Sequence, residues 1–149
     1  MGNVVPHNSY GATITSAMLG RIVQITFKGE LVYEYIDTVK VRLEDIPLNS
    51  KEYIFEMKEV VHIDSTGFGL IVNLAKKLLE NDTKIVFVVD DELIIELFKI
   101  SQLNRVFPLV KTMDDAVKTM EEIPLTKTLF ADYMNMSISS RKKDNLYTD

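Results

Sequence analysis

Val23, Ile25 and Phe27 alternate with Gln24, Thr26 and Lys28, a period of two that predicts a strand with one wetter face over residues 20–31. Residues 13–18 are expected to pair with it through a turn at Gly20. From residue 33 to 46 the period changes. Ile36, Val39, Leu43 and Ile46 recur at helical steps on one face, and Pro47 ends that helix. Tyr53, Phe55 and Met57 then alternate with Ile54, Glu56 and Lys58 and run into Val60-Val61, a second long strand. In the helix that follows, Leu70, Leu74 and Leu78 face inward while Lys76, Lys77 and Glu80 face solvent, and Asn81 suits a left-handed turn after it. Residues 84–89 are apolar after the first, the pattern of a central strand buried on both faces.

Asp90-Asp91 can cap the next helix, with Leu93, Ile94, Leu97 and Phe98 as its inward stripe. A short strand over residues 106–110 precedes a last core helix over 112–120, with Met113, Ala116, Val117 and Met120 inward. The order ββαβαβαβα predicts an α/β fold, a mixed sheet of about five strands with about four helices mainly on one face. Its first two strands form a hairpin, and right-handed crossovers make the others parallel. Beyond Pro124, the helical spacing of Leu125, Leu129, Phe130 and Tyr133 predicts an extra C-terminal helix. It either packs on its own domain, the simpler reading, or serves a partner or a second copy. The chain thus divides into a lead-in over residues 1–12, a domain over 13–121 and an extension over 122–149.

A chain of 149 residues with 46% hydrophobic and 26% charged content is long and apolar enough for one globular core. It contains no cysteine, which excludes disulfides and thiolate metal sites, and His7 and His62 lack ligand spacing, so neither a metal nor another cofactor is expected. No apolar run reaches the ~18 residues of a membrane span and no secretory leader is recognisable, so a cytoplasmic protein without a membrane partner is expected. The sequons at Asn81 and Asn135 are then accidental. A net charge of −5 argues against nucleic acid, since the one basic cluster, Arg141-Lys142-Lys143, lies in a polar tail.

The stretch with the most candidate chemistry is VVHIDSTGFGLIVNLAKKLL, residues 60–79, where an apolar strand runs into a helix through Asp64, Ser65, Thr66, Gly67 and Phe68. Glycine inside a helix is about 1 kcal/mol worse than alanine, yet Gly67 and Gly69 stand in its first turns. A dinucleotide fingerprint needs a third glycine where Val72 stands, and there is no Gly-Lys-Ser/Thr of a phosphate-binding loop. A hydrolase nucleophile elbow would place glycine where Ile63 stands, and His62, the one nearby base, reads as a surface residue. Asp90-Asp91 resembles the acidic pair of a response-regulator receiver but sits too late in the chain, and helix capping explains it more simply. No catalytic residue and no enzyme are therefore expected. The hydroxyls read better as substrates. Ser65 stands where an N-cap belongs, accepting an N–H from Gly67 or Phe68. A phosphate there would add about −1.5 to −2 charges beside the positive end of the helix. The glycines leave naked backbone that a large partner can approach.

The segment IDSTGFGLIVNLAKKL resembles the Asp-Ser-Ser/Thr-Gly-Leu-Gly signature of anti-sigma factor antagonists, the bacterial STAS domain family. FKGEL at residues 27–31 is similar to that family's Gly-Glu-Leu, and LFKISQLNRVF at 97–107 to its closing segment, with Asn104 in place of a later glycine and Gln102 before it. The resemblance covers about residues 13–121 and implies a non-enzymatic module that binds an anti-sigma factor, often itself a serine/threonine kinase. By the resemblance Ser65 is the phosphorylated serine, and a serine/threonine phosphatase reverses the modification. Asp64, Thr66, Gly67, Phe68, Gly69, Glu30 and Val32 surround the phosphosite and meet the partner. Val32 departs from the family's aspartate after Gly-Glu-Leu. The alternative is a STAS adaptor or scaffold in a stress-sensing, biofilm or lipid-transport complex, with a serine that is never modified.

Overall fold

The alternating segment forms β2 (Ile22–Leu31), in which Val23, Ile25 and Phe27 are fully buried. It pairs antiparallel with β1 (Ala12–Leu19), Thr15 opposite Thr26, and parallel with the long β3 (Glu52–Ile63). Gly29 in β2 has a φ of +88°, and a Cβ there would stand 2.3 Å from the Gly11 carbonyl oxygen, so this position in FKGEL admits only glycine. β4 (Lys84–Val88) and the two-residue β5 (Leu109–Val110) complete a sheet of order β1-β2-β3-β4-β5, every pair but the first parallel. The computed structural model describes residues 11–135. Residues 1–10 of the lead-in, and 136–149 of the extension with Arg141-Lys142-Lys143, lie outside the described residues.

Period two puts Tyr53, Phe55 and Met57 on the same face as Phe27, Ile85 and Phe87. That face carries α1 (Ile36–Leu43), α2 (Ser65–Leu78) and α3 (Glu92–Ile100), which bury Val39, then Ile71, Leu74, Ala75 and Leu78, then Ile94 and Phe98. Among the described residues α4 (Met113–Glu122) alone covers the other face, where Ala116 and Met120 pack on Ile22, Ile54, Val86 and Val88. The mixed sheet with helices mainly on one face is thus as the periodicity predicts. The extra C-terminal helix is also present, α5 over residues 126–135, with Phe130 and Tyr133 against the core. Its start is tied to the α2–β4 turn by Thr126 N–H donating to the Thr83 carbonyl at 2.7 Å and by the Lys127–Asp82 ion pair. α5 begins two residues after Pro124, so the proline precedes the helix and does not open its first turn.

Several local expectations differ. The predicted strand over 106–110 shortens to Leu109–Val110, because Val106 and Phe107 enter the core from irregular chain after a 3₁₀ turn. Among the described residues the one non-glycine with a left-handed backbone is Gln102, φ +61°, where that 3₁₀ turn begins. Asn81 is not left-handed; its amide donates to the Leu48 carbonyl and pins the loop after α1. On α3 the inward side is Ile94 and Phe98 with Ile95 beside them, while Leu93 is 78% exposed. Val117 of α4 is likewise exposed, since Ala116 and Met120 already fill the shallow contact that one helix makes with the sheet.

Candidate functional site

β3 delivers Asp64 to the edge of the helix-bearing layer, and the Asp64 side chain starts α2. Its Oδ1 accepts the Gly67 N–H at 2.9 Å, and its Oδ2 accepts the Tyr33 N–H at 2.9 Å. Asp64, not Ser65, is therefore the N-cap, because the carboxylate one residue earlier already fills the position from which the N3 N–H is reached. The Asp64 N–H donates in turn to the Leu31 carbonyl at 3.3 Å. One residue thus joins the end of β2, the following 3₁₀ turn (Tyr33–Tyr35) and the first turn of α2. The two accepted N–H bonds, Gly67 first and Tyr33 second, hold the Asp64 carboxyl below the ordinary aspartate range.

This makes a pH-dependent prediction. A depressed folded-state pKa stabilises the protein above the unfolded value of about 4, and that stabilisation is lost as pH falls through the lower folded one. Asp64→Ala should cost about 1 kcal/mol at neutral pH, as loss of an exposed cap does, and urea titrations should find the gap to wild type narrowing as pH falls below about 4. A gap unchanged by acid would contradict the assignment of the cap to a carboxylate.

Displaced from the cap, Ser65 is the first residue of α2, and its side chain is exposed. Its hydroxyl has no hydrogen-bond partner among the described residues. Thr66 and Gly69 are partly exposed beside it. A groove of about 1100 Å³ between α1 and α2 includes these residues, with Leu43, Leu70 and Leu74 as apolar lining and both lysines (Lys40, Lys76, Lys77) and glutamates (Glu44, Glu80) among its polar lining.

The two glycines have different reasons. A Cβ on Gly67 would lie 1.9 Å from the Leu31 carbonyl oxygen, so this glycine lets α2 seat against β2 and presents no bare backbone to a partner. Gly69 faces open space, with nothing among the described residues within 4 Å of the place a Cβ would take. Phe68 points inward, its ring edge-on to Phe98 at 5.1 Å. Glu30 lies opposite His62 on adjacent strands, and both reach the same end of the sheet as Asp64. Val32 is half-buried beside Tyr33, whose N–H Asp64 holds. Asp91, the other predicted cap, accepts the Leu93 and Ile94 N–H groups at 2.9 and 3.1 Å.

Sequence reasoning missed the second surface at this end. Leu93, Ile100 and Val61, 78%, 72% and 64% exposed, line a groove of about 330 Å³ with His62, Asp91 and Glu96. Reading Leu93 as part of an inward stripe hid it, since position on a short apolar helix does not tell which of two apolar sides meets the core. Among the described residues no group of acidic and histidine side chains could hold a metal ion, and no helix is long and apolar enough to cross a membrane.

A five-stranded mixed sheet that displays a serine at the start of its second helix defines the class as a small α/β module with an accessible hydroxyl at a helix N-terminus. The family model of the STAS domain matches residues 14–116, and the chain belongs to the STAS domain family. An anti-sigma factor antagonist from Mycobacterium paratuberculosis superimposes with a TM-score of 0.61 at 16% identity, over 75% of this chain and 96% of that one. The anti-sigma factor antagonist SpoIIAA in its unphosphorylated form gives 0.57 at 16% identity, over 74% of this chain and 100% of its own. The Bacillus cell fate determinant SpoIIAA in the phosphorylated form gives 0.53 at 16% identity, over 72% and 98%. At such identities these likenesses carry the fold. Among curated proteins, no sequence matches the chain.

Proposed function

We propose that this protein is an anti-sigma factor antagonist that works as a phosphorylation-controlled protein-binding switch, with Ser65 as the modified residue. The unmodified protein binds an anti-sigma factor or serine/threonine kinase in the cytoplasm, phosphate on Ser65 ends that binding, and a serine/threonine phosphatase restores it. The observation that carries this reading is the exposed Ser65 hydroxyl at the start of α2, without a hydrogen-bond partner among the described residues and beside the groove between α1 and α2. A phosphate there meets opposing local fields. The N-terminus of α2 favours the anion, the Asp64 carboxylate opposes it, and each is worth about 1 kcal/mol on an exposed surface. Modification therefore changes the surface that a partner meets and leaves the fold in place. SpoIIAA, whose fold this chain shares, exists in both phosphorylated and unphosphorylated forms, which supports the same reading. Thr66, Gly69 and Glu30 form the rim of the contact, while Gly67 and Phe68 hold α2 in place beneath it. The protein itself performs no catalysis in this scheme.

The test is co-purification of wild type, Ser65→Ala and Ser65→Asp from the source cells, with phosphopeptide mass spectrometry at Ser65. A shared partner should follow wild type and Ser65→Ala, and drop about 10-fold, equivalent to about 1.4 kcal/mol, with Ser65→Asp. Equal recovery with all three, and no phosphate at Ser65, would overturn the switch. One observation favours a second reading, a STAS adaptor or scaffold with an unmodified serine. Val32 puts an apolar side chain next to Tyr33 and Asp64, where the resemblance implies a carboxylate. That reading takes the equal-recovery result.

A further inference from the structure

The two edges of the sheet are managed differently. β5 is only Leu109–Val110 and is followed by Lys111, so that edge is short and charged at its end. β1 is eight residues long, ATITSAML, with no charge and no proline, and among the described residues nothing pairs with its outer side. A long uncharged edge strand is a template for another strand, and proteins that stay monomeric usually interrupt such an edge with lysine, proline or a bulge. The β1–β2 register runs from Ala12↔Gly29 to Leu19↔Ile22 without a bulge, so β1 is regular along its whole length. From Thr15 to Leu19 every residue is exposed, Met18 at 56%.

We infer that β1 is a self-association edge, on which a second copy of this chain pairs its own β1 antiparallel to form a continuous ten-stranded sheet (5 strands from each copy). The occupant follows from charge and symmetry. A two-fold axis normal to the sheet makes two β1 strands antiparallel and keeps the helix-bearing faces on one side. Ala12, Ile14, Ser16 and Met18 of one copy then face their counterparts, and Thr13, Thr15 and Ala17 meet theirs on the other face. No like charges are brought opposite each other, because the strand has none. Ala12 and Ile14 are already buried in their own copy, so the contact rests on the backbone, where the strands exchange about eight hydrogen bonds, and on the exposed side chains from Thr15 to Met18. The apolar surface at Leu93 and Ile100 fits a self-contact less well, since it is bordered by the like charges of Asp91 and Glu96, which two copies would bring near one another. This inference is independent of phosphorylation at Ser65.

The experiment is sedimentation velocity of the full chain over a concentration series, with Thr15→Lys, Thr15→Glu and their equimolar mixture. Thr15 is exposed and lies opposite uncharged Thr26 in β2, so either charge is accommodated in the monomer, which an unchanged circular dichroism spectrum verifies. Wild type should dimerise with rising concentration, each charged variant alone should dimerise at least 10-fold more weakly, and the mixture should recover the dimer. Hydrogen exchange should show β1 amides of wild type slowing as concentration rises. A wild type that stays monomeric, with its β1 edge covered by residues 1–10 or left open, would overturn the inference. A dimer indifferent to both charges would do the same, because it would place the contact on another surface.

Discussion

Gly67→Ala is expected to lower the unfolding free energy by about 3 kcal/mol, even though alanine is the better helix former by about 1 kcal/mol. The added carbon would stand 1.9 Å from the Leu31 carbonyl oxygen and 2.7 Å from its carbon, both backbone atoms of β2 that no rotamer change can move. Relief requires α2 to back away from β2, which strains the Asp64 bonds to Gly67 and Tyr33 together. Gly69→Ala is the matched control. It adds the same atom two residues further along α2, where nothing lies within 4 Å, and should stabilise by up to about 1 kcal/mol. Urea denaturation of the two variants should therefore move in opposite directions from wild type. Parallel shifts would mean that Gly67 does not hold the junction between α2 and β2.

A second large effect is expected at the centre of the sheet. Phe87 is fully buried, and its ring lies 4.7 Å from Phe55, 5.0 Å from Phe98 and 5.4 Å from Phe107, two of the three edge-on. Phe87→Ala removes the ring that joins β3, α3 and the irregular chain before β5, and should cost about 3 to 5 kcal/mol, a third or more of a typical domain's stability. Phe87→Leu keeps much of the volume and should cost about 1.5 kcal/mol. Because Phe98 also meets Phe68 at 5.1 Å, the aromatic chain reaches the first turn of α2, and the larger change should speed amide exchange around Ser65. Chemical denaturation measures the first effect and hydrogen exchange the second. A loss no greater than that of Leu93→Ala on the exposed side of α3 would show that these rings are not the keystone of the core.

The Asp64–Gly69 site shows how far one-dimensional reasoning reaches. That a serine stands at the start of a helix after an apolar strand is legible from residues 60–79 alone, because caps and helix starts are interactions within a few residues. Which residue caps is not legible to better than one position, since serine and aspartate both serve and neighbouring side chains compete for the same N–H. The reason for Gly67 is not legible at all. It depends on Leu31, which belongs to another strand and comes near only after β2 and β3 have paired. Tyr33 as a partner of Asp64 is hidden for the same reason, and the long, uncharged outer side of β1 becomes an edge only once the strand order is known.

By itself the sequence determined the number, kind and order of the elements, the parallel core of the sheet and the helix start that displays Ser65. Those follow from periods of two and of 3.6 residues and from caps, all of them short-range. The tertiary structure alone decided that Gly67 serves packing while Gly69 faces solvent, and that Asp64 ties three elements together. It also decided which apolar side of α3 is left in water. Each of these depends on which distant residue comes within a few ångströms, and a local pattern carries no record of that.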